Sequence, residues 1–188
     1  MRRVQRLTSL VLGFFLCGVL PAKAEGDEHH PGIVGTWVNT VLVNTGPGAP
    51  PLVNRELSAF SPGGILVSSS ATAHAHSSEN PYLPPPLAVD QSDGYGSWER
   101  QEDGRISLTF KRWLFAGINT PSALYPSAFL GQQVGIGTVQ GVAALRRDGE
   151  GDILEGAFTF RFVNLAGKVV FAGGGTFSAR RLKIEPLQ

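Results

Sequence analysis

Residues 153–163, which read Ile-Leu-Glu-Gly-Ala-Phe-Thr-Phe-Arg-Phe-Val, decide the fold of this chain. Side chains alternate between the two faces of a β-strand. In this stretch most of the large apolar side chains share one face, and the polar side chains share the other. The apolar face holds Leu154, Phe158, Phe160 and Phe162, against Glu155, Thr159 and Arg161. This alternation is typical of an antiparallel strand with one face buried.

The same alternation recurs along residues 95–184, with turn signals between the alternating segments. One apolar face is formed by Ile106, Leu108, Phe110 and Leu114. The Asp-Gly pairs at 103–104 and 148–149 are typical of tight hairpins, and residues 165–168 contain another glycine-bearing turn. The region therefore predicts consecutive hairpins.

Over the whole chain the pattern predicts eight strands. They cover approximately residues 33–43, 55–60, 65–70, 95–101, 105–115, 134–146, 153–163 and 169–184. We expect an all-β fold, an eight-stranded antiparallel up-and-down β-barrel, because closure into a barrel removes the exposed sheet edges.

The connections between the predicted strands alternate between long and short. Successive connections of a meander lie at opposite ends of a barrel, so the long ones should share one end and the tight turns the other. The long connections are 44–54, 71–94 and 116–131, and the tight turns are 61–64, 102–104 and 148–151. We expect the end with the long loops to be an open mouth, where ligands tend to enter, and the other end to be a closed base.

The N-terminal 24 residues have the pattern of a cleaved signal peptide. Three arginines precede an apolar core at 7–20, and Ala22-Lys23-Ala24 matches a cleavage site. That core is too short to span a bilayer comfortably. The sequence therefore predicts export to the periplasm or the exterior, a flexible leader at 25–32, and a single barrel domain at 33–188 with no integral membrane segment.

Charge and cysteine content narrow the classes of function. Residues 1–24 hold four of the 16 Lys and Arg and none of the 15 acidic residues, so 12 basic residues remain and the net charge is −3. This balance argues against nucleic acid as a partner. The single cysteine, Cys17, leaves with the signal peptide, which excludes a disulfide and a thiol nucleophile in the mature chain.

Two short motifs resemble those of the calycin superfamily, the lipocalins and their bacterial relatives. Gly35-Thr36-Trp37 opens the first predicted strand, and Arg180-Arg181 lies late in the last one. The resemblance implies that Trp37 lies at the closed base and that Arg180 or Arg181 packs over it as a cation–π partner. It also implies a lipocalin-like barrel that binds a small ligand.

Catalytic signals are few. The histidines are 29, 30, 74 and 76, all in the predicted leader or a loop, and no Gly-x-Ser-x-Gly elbow or cysteine–histidine pair occurs. We therefore predict no catalytic residue, no cofactor and no metal. His74 and His76 would share a face of an extended chain, which leaves metal binding open beside the commoner case of a solvated loop.

The geometry of the predicted barrel leaves three hypotheses for the function of the chain. A small apolar ligand held at the looped mouth is the first hypothesis, with Tyr82, Tyr125 and Phe129 as contributors. A barrel enzyme similar to allene oxide cyclases or dirigent-like proteins is the alternative, with Glu99, Arg112 and Arg161 as polar candidates. A structural or protein-binding barrel with a filled interior is the third.

Phe158, Phe160 and Phe162 are interpreted as core, because the interior of an eight-stranded barrel is barely wide enough for its own side chains. The oligomeric state stays open.

Overall fold

The structure, a computed structural model, describes residues 32–44, 48, 50–71, 77–79, 83–127 and 129–183. The predicted signal peptide, all but the last residue of the predicted leader, and Tyr82, His74 and His76 lie outside the described residues. No helix within the described ranges is both long and apolar enough to cross a membrane.

The described chain is almost entirely β-strand. The strands are β1 (Gly35–Val43), β2 (Leu52–Phe60), β3 (Ile65–Ser70), β4 (Asp90–Gln91), β5 (Gly94–Arg100), β6 (Ile106–Phe115), β7 (Gln133–Asp148), β8 (Gly151–Asn164) and β9 (Val169–Arg181). Two short 3₁₀ helices, Ser77–Glu79 and Pro85–Leu87, lie between β3 and β4.

The strands close into a barrel in which every pairing is antiparallel. The sheet order is β6-β5-β3-β2-β1-β9-β8-β7, and β6 also pairs with β7, which closes the ring. The two-residue strand β4 pairs with Leu114 and Phe115 of β6, on the same edge that β5 follows. Strands β4 and β5 thus occupy one position around the ring. The predicted eight-stranded up-and-down barrel is confirmed.

The pairing of β9 with β8 is continuous at Gly173-Gly174-Gly175, so the three consecutive glycines do not form a bulge. The register instead shifts where Phe162 pairs with Phe171 and Val163 with Val169, which leaves Val170 as the extra residue. The glycines serve another purpose: a Cβ at Gly173 would lie 2.9 Å from Cζ of Phe160, so the missing side chain makes room for that ring.

Two apolar clusters fill the two ends of the barrel. The base cluster contains Ile33, Trp37, Phe60, Leu66, Ile106, Leu108, Phe110, Ala143, Leu154 and Ala179. The mouth cluster contains Leu87, Val89, Leu114, Ala116, Tyr125, Val134, Phe160 and Phe162. Burial of these side chains supplies the main stabilisation of a barrel that has no disulfide.

Candidate functional site

The barrel is not completely filled by its own side chains. An interior cavity of about 130 Å³ lies between the base and mouth clusters. Its lining comes from every described strand except β5, together with Leu83 and the 3₁₀ helix Pro85–Leu87. The lining residues on which the argument depends are Asn54, Glu56, Arg112, Val139, Phe158, Phe160, Phe162, Phe177, Leu83 and Leu87.

One wall of the cavity is aromatic and is formed by phenylalanines of β8 and β9. Phe158, Phe160 and Phe162 point inward because they are two residues apart on β8. The ring centroids of Phe158 and Phe160 lie 6.3 Å apart, and those of Phe160 and Phe162 lie 5.5 Å apart. Phe171 of β9 adds a contact at 5.5 Å from Phe160. The phenylalanines were interpreted as core, and they both pack together and line the cavity.

The facing wall carries a buried ion pair. Nη2 of Arg112, on β6, donates to Oε1 of Glu56, on β2, at 3.0 Å. The side chains of Arg112 and Glu56 are only 7% and 12% exposed, so the pair lies in the interior of the barrel. A charge in such surroundings is tolerated only when it is paired and hydrogen-bonded.

Polar side chains around the ion pair complete a network. Oγ of Ser68 donates to Oε2 of Glu56 at 3.0 Å and accepts from Nη2 of Arg112 at 3.1 Å. Nδ2 of Asn54 donates to Oε1 of Glu56 at 3.2 Å and to Oγ of Ser70 at 2.7 Å. Both oxygens of Glu56 are therefore engaged.

The guanidinium of Arg112 is also placed by an aromatic ring and by a glycine. Cζ of Arg112 lies 5.1 Å from the centroid of the Phe110 ring, a cation–π contact. A Cβ at Gly94 would lie 2.5 Å from Cδ2 of Phe110 and 3.3 Å from Nε of Arg112. A side chain at position 94 would collide with this arrangement, so the close approach requires glycine.

Two atoms of the network have no hydrogen-bond partner among the described residues. They are Nε of Arg112, a donor, and Oδ1 of Asn54, an acceptor. Both residues line the cavity and are at least nine-tenths buried. Such atoms are rare in folded proteins, because an unmet buried polar group costs about 1–3 kcal/mol.

The long loops meet over the mouth, as the alternation of connections predicts. The amide of Asn119 donates to the Ser78 carbonyl at 3.2 Å, and Oγ1 of Thr120 donates to the Ala88 carbonyl at 2.6 Å. Leu83 and Leu87 from the same region reach the cavity wall. The loops therefore form its roof.

Of the three aromatic residues proposed for ligand contact, two are described, and neither lines the cavity. Tyr125 is fully buried in the mouth cluster, and its hydroxyl donates to the Pro86 carbonyl at 2.8 Å. Burial raises the pKa of Tyr125 well above its usual range. Phe129 is 67% exposed. Among the described loop residues, Leu83 and Leu87 hold the positions expected of these aromatics.

At the base, Trp37 is fully buried and Arg181 lies over it. Cζ of Arg181 is 4.6 Å from the indole, and the indole Nε1 donates to the Ile33 carbonyl at 2.8 Å. The guanidinium of Arg181 also donates to the carbonyls of Val34 and Gly32 and to Asp152.

Arg180, the other arginine suggested as a cover for the tryptophan, points elsewhere. It pairs with Asp148 at 3.0 Å and with Glu150 at 3.4 Å, and its side chain is 52% exposed. Consecutive residues of a strand face opposite sides, so only one of the two arginines can reach Trp37.

The three polar residues suggested for a barrel enzyme also differ in their exposure to solvent. Glu99 and Arg161 are exposed, whereas Arg112 faces the interior. Glu56, the partner of Arg112, was missed by sequence reasoning. Alternation was the available signal, since Asn54, Glu56 and Ser58 share a face with the buried Phe60.

No group of three His, Cys, Asp or Glu side chains suited to a metal occurs within the described ranges. Comparison with protein-family models and with curated proteins gave no match. The closed eight-stranded antiparallel barrel is compatible with a lipocalin-like fold.

Proposed function

We propose that this chain is an exported, calycin-type barrel that binds a small apolar molecule in its interior. The observation that carries the proposal is the 130 Å³ cavity lined by Phe158, Phe160, Phe162 and Phe177. A concave site with mostly apolar and aromatic walls and a few convergent polar groups is the usual form of a small-molecule site. A barrel with a purely structural role would have its interior filled at close to crystal density.

The energetics favour occupation of the cavity by an apolar group. Aromatic walls that face empty space or water lose the contacts and the burial that packed side chains have. An apolar ligand restores both, at roughly 25 cal/mol for each Å² of apolar surface removed from water. The leucines of the roof, Leu83 and Leu87, would contact the ligand from the looped end.

A barrel cyclase or isomerase is the second candidate, and the Arg112–Glu56 pair beside the aromatic wall is the observation that favours it. A general base must have a lone pair within reach of the proton it removes. Both oxygens of Glu56 already accept hydrogen bonds, from Arg112, Asn54 and Ser68. Proton abstraction would compete with these three hydrogen bonds and with the ion pair to Arg112, so we prefer binding without reaction.

The test uses a neutral apolar fluorophore, N-phenyl-naphthylamine, with wild type and two variants of β7. Val139 lines the cavity, and Val142 is exposed on the outer face of the same strand. Val139→Phe should reduce affinity at least about tenfold, because the added ring occupies ligand space. Val142→Phe adds the same ring outside and should leave affinity unchanged.

As a control, circular dichroism and urea unfolding of each variant establish that it is folded before its affinity for the fluorophore is compared with that of wild type. Equal loss of affinity in both variants, or fluorophore binding that is unaffected by Val139→Phe, would contradict an interior site. Native mass spectrometry of the purified wild type gives an independent measurement, since a copurified apolar ligand appears as a mass increment.

A further inference from the structure

We infer that the ligand carries an uncharged polar head group that both accepts and donates a hydrogen bond, such as an alcohol, and that Arg112 and Asn54 bind it. The inference rests on the proposed function and identifies the class of ligand. Its basis is the polar wall, where the unmet donor Nε of Arg112 and the unmet acceptor Oδ1 of Asn54 belong to neighbouring side chains.

The two side chains converge on one point. Nη2 of Arg112 and Nδ2 of Asn54 both donate to the same oxygen, Oε1 of Glu56, at 3.0 and 3.2 Å. Their terminal groups are therefore close together at the cavity wall. A hydroxyl group has one donor and two acceptor sites, so it can accept from Nε and donate to Oδ1.

The charge of the site argues against a carboxylate ligand. Arg112 and Glu56 are the only charged residues of the described lining, and their ion pair makes the site neutral overall. An arginine that is already paired has little attraction left for a second carboxylate. A ligand carboxylate would also lie close to Glu56, and the repulsion between two buried like charges is large.

The stability of the barrel does not account for the polar network around Arg112 and Glu56. A buried ion pair contributes little to stability compared with apolar residues of the same volume. A barrel that only needed to fold could place leucine or methionine at these positions. A polar network with one unmet donor and one unmet acceptor, set opposite an aromatic wall, fits an elongated molecule with a polar end and an apolar end.

The experiment compares octan-1-ol with octanoate at about pH 7, where the acid is ionised. Each competes with bound N-phenyl-naphthylamine, and calorimetry gives the direct affinity. Wild type should bind octan-1-ol at least about tenfold more tightly than octanoate, because the ion would enter a site with no free countercharge. Octanoate binding as tightly as the alcohol would overturn the inference and leave the proposed function standing. Failure of all three compounds to bind would overturn both.

Charge variants test the assignment of the residues. Glu56→Gln leaves the Arg112 charge unpaired and should shift the preference at least about tenfold towards octanoate. Glu99→Gln, at an exposed position on β5, is the matched control and should keep the wild-type preference. An unchanged preference in Glu56→Gln would refute the role given to the ion pair.

A double variant keeps the inference testable if Glu56→Gln does not fold. Replacement of the pair by Glu56→Leu and Arg112→Met removes both charges with little change in volume. Octan-1-ol should then bind about fivefold more weakly, which corresponds to one lost hydrogen bond. The apolar fluorophore should bind as before. Unchanged affinity for octan-1-ol would show that its hydroxyl does not contact Arg112.

Discussion

Replacement of Trp37 by alanine should destabilise the barrel more than replacement of any other tryptophan. The side chain is fully buried, its indole N–H donates to the Ile33 carbonyl, and the Arg181 guanidinium lies 4.6 Å from its ring. A buried aromatic removes on the order of 200 Å² from water, which corresponds to about 5 kcal/mol before the part that alanine retains. Removal of such a side chain typically costs about 3–5 kcal/mol.

Urea unfolding followed by circular dichroism measures this loss, and Trp113→Ala is the matched control. Trp113 is 50% exposed on the outer face of β6, so its truncation should cost less than about 1 kcal/mol. Trp37→Phe should fall between the two, because it keeps an aromatic ring but loses the hydrogen bond to Ile33. A loss below about 1 kcal/mol for Trp37→Ala would refute the reasoning, since it would mean that the indole contributes no burial energy.

The remaining predictions concern export and pH. N-terminal sequencing of the exported protein should start at Glu25, whereas full-length chain in the exported fraction would contradict cleavage after Ala24. The pKa of Asp148 is lowered by the backbone N–H of Glu150 and by Arg180. Its folded pKa is thus below its unfolded value, so its contribution to stability is present above about pH 4 and is lost as the pH falls through the folded pKa. Asp148→Asn should reduce the free energy of unfolding at about pH 7, and the difference should disappear in strong acid; a difference that is constant with pH would contradict it.

Strand positions were predictable because the barrel imposes a strict period of two on each strand. The alternation in 153–163 and 105–115 set the inward faces of β8 and β6, and the structure agrees closely with both boundaries. The same alternation placed Arg112 on the buried face with Phe110. Arg112 was predicted only as a polar candidate for a barrel enzyme, together with Glu99 and Arg161.

The ion pair and the cavity were beyond the reach of the sequence for a physical reason. Glu56 and Arg112 are 56 residues apart on strands that are not neighbours, since β3 and β5 separate them around the ring. Their contact crosses the interior and depends on the register of every strand between them. The cavity volume is likewise a small difference between two large volumes, that enclosed by the strands and that of the side chains inside them. Such a difference cannot be read from the alternation of residues. The position of Tyr125 in its loop was equally unpredictable. Its hydroxyl is buried with a hydrogen bond to the Pro86 carbonyl, which belongs to a different loop.

The pairing of β1 with β9 joins the first and the last strand of the barrel. β1 pairs with β2 on one side and with β9 on the other, so its second pairing requires the last strand of the chain. Arg181 also donates a hydrogen bond to the carbonyl of Val34, which lies 147 residues earlier in the chain. Closing so long a loop is slow and entropically costly. Until then β1 and β8 each present an open edge that can pair with another chain. We therefore expect ring closure to be a late step of folding, and we expect a chain that stops before Val169 to form an open sheet that is prone to aggregation.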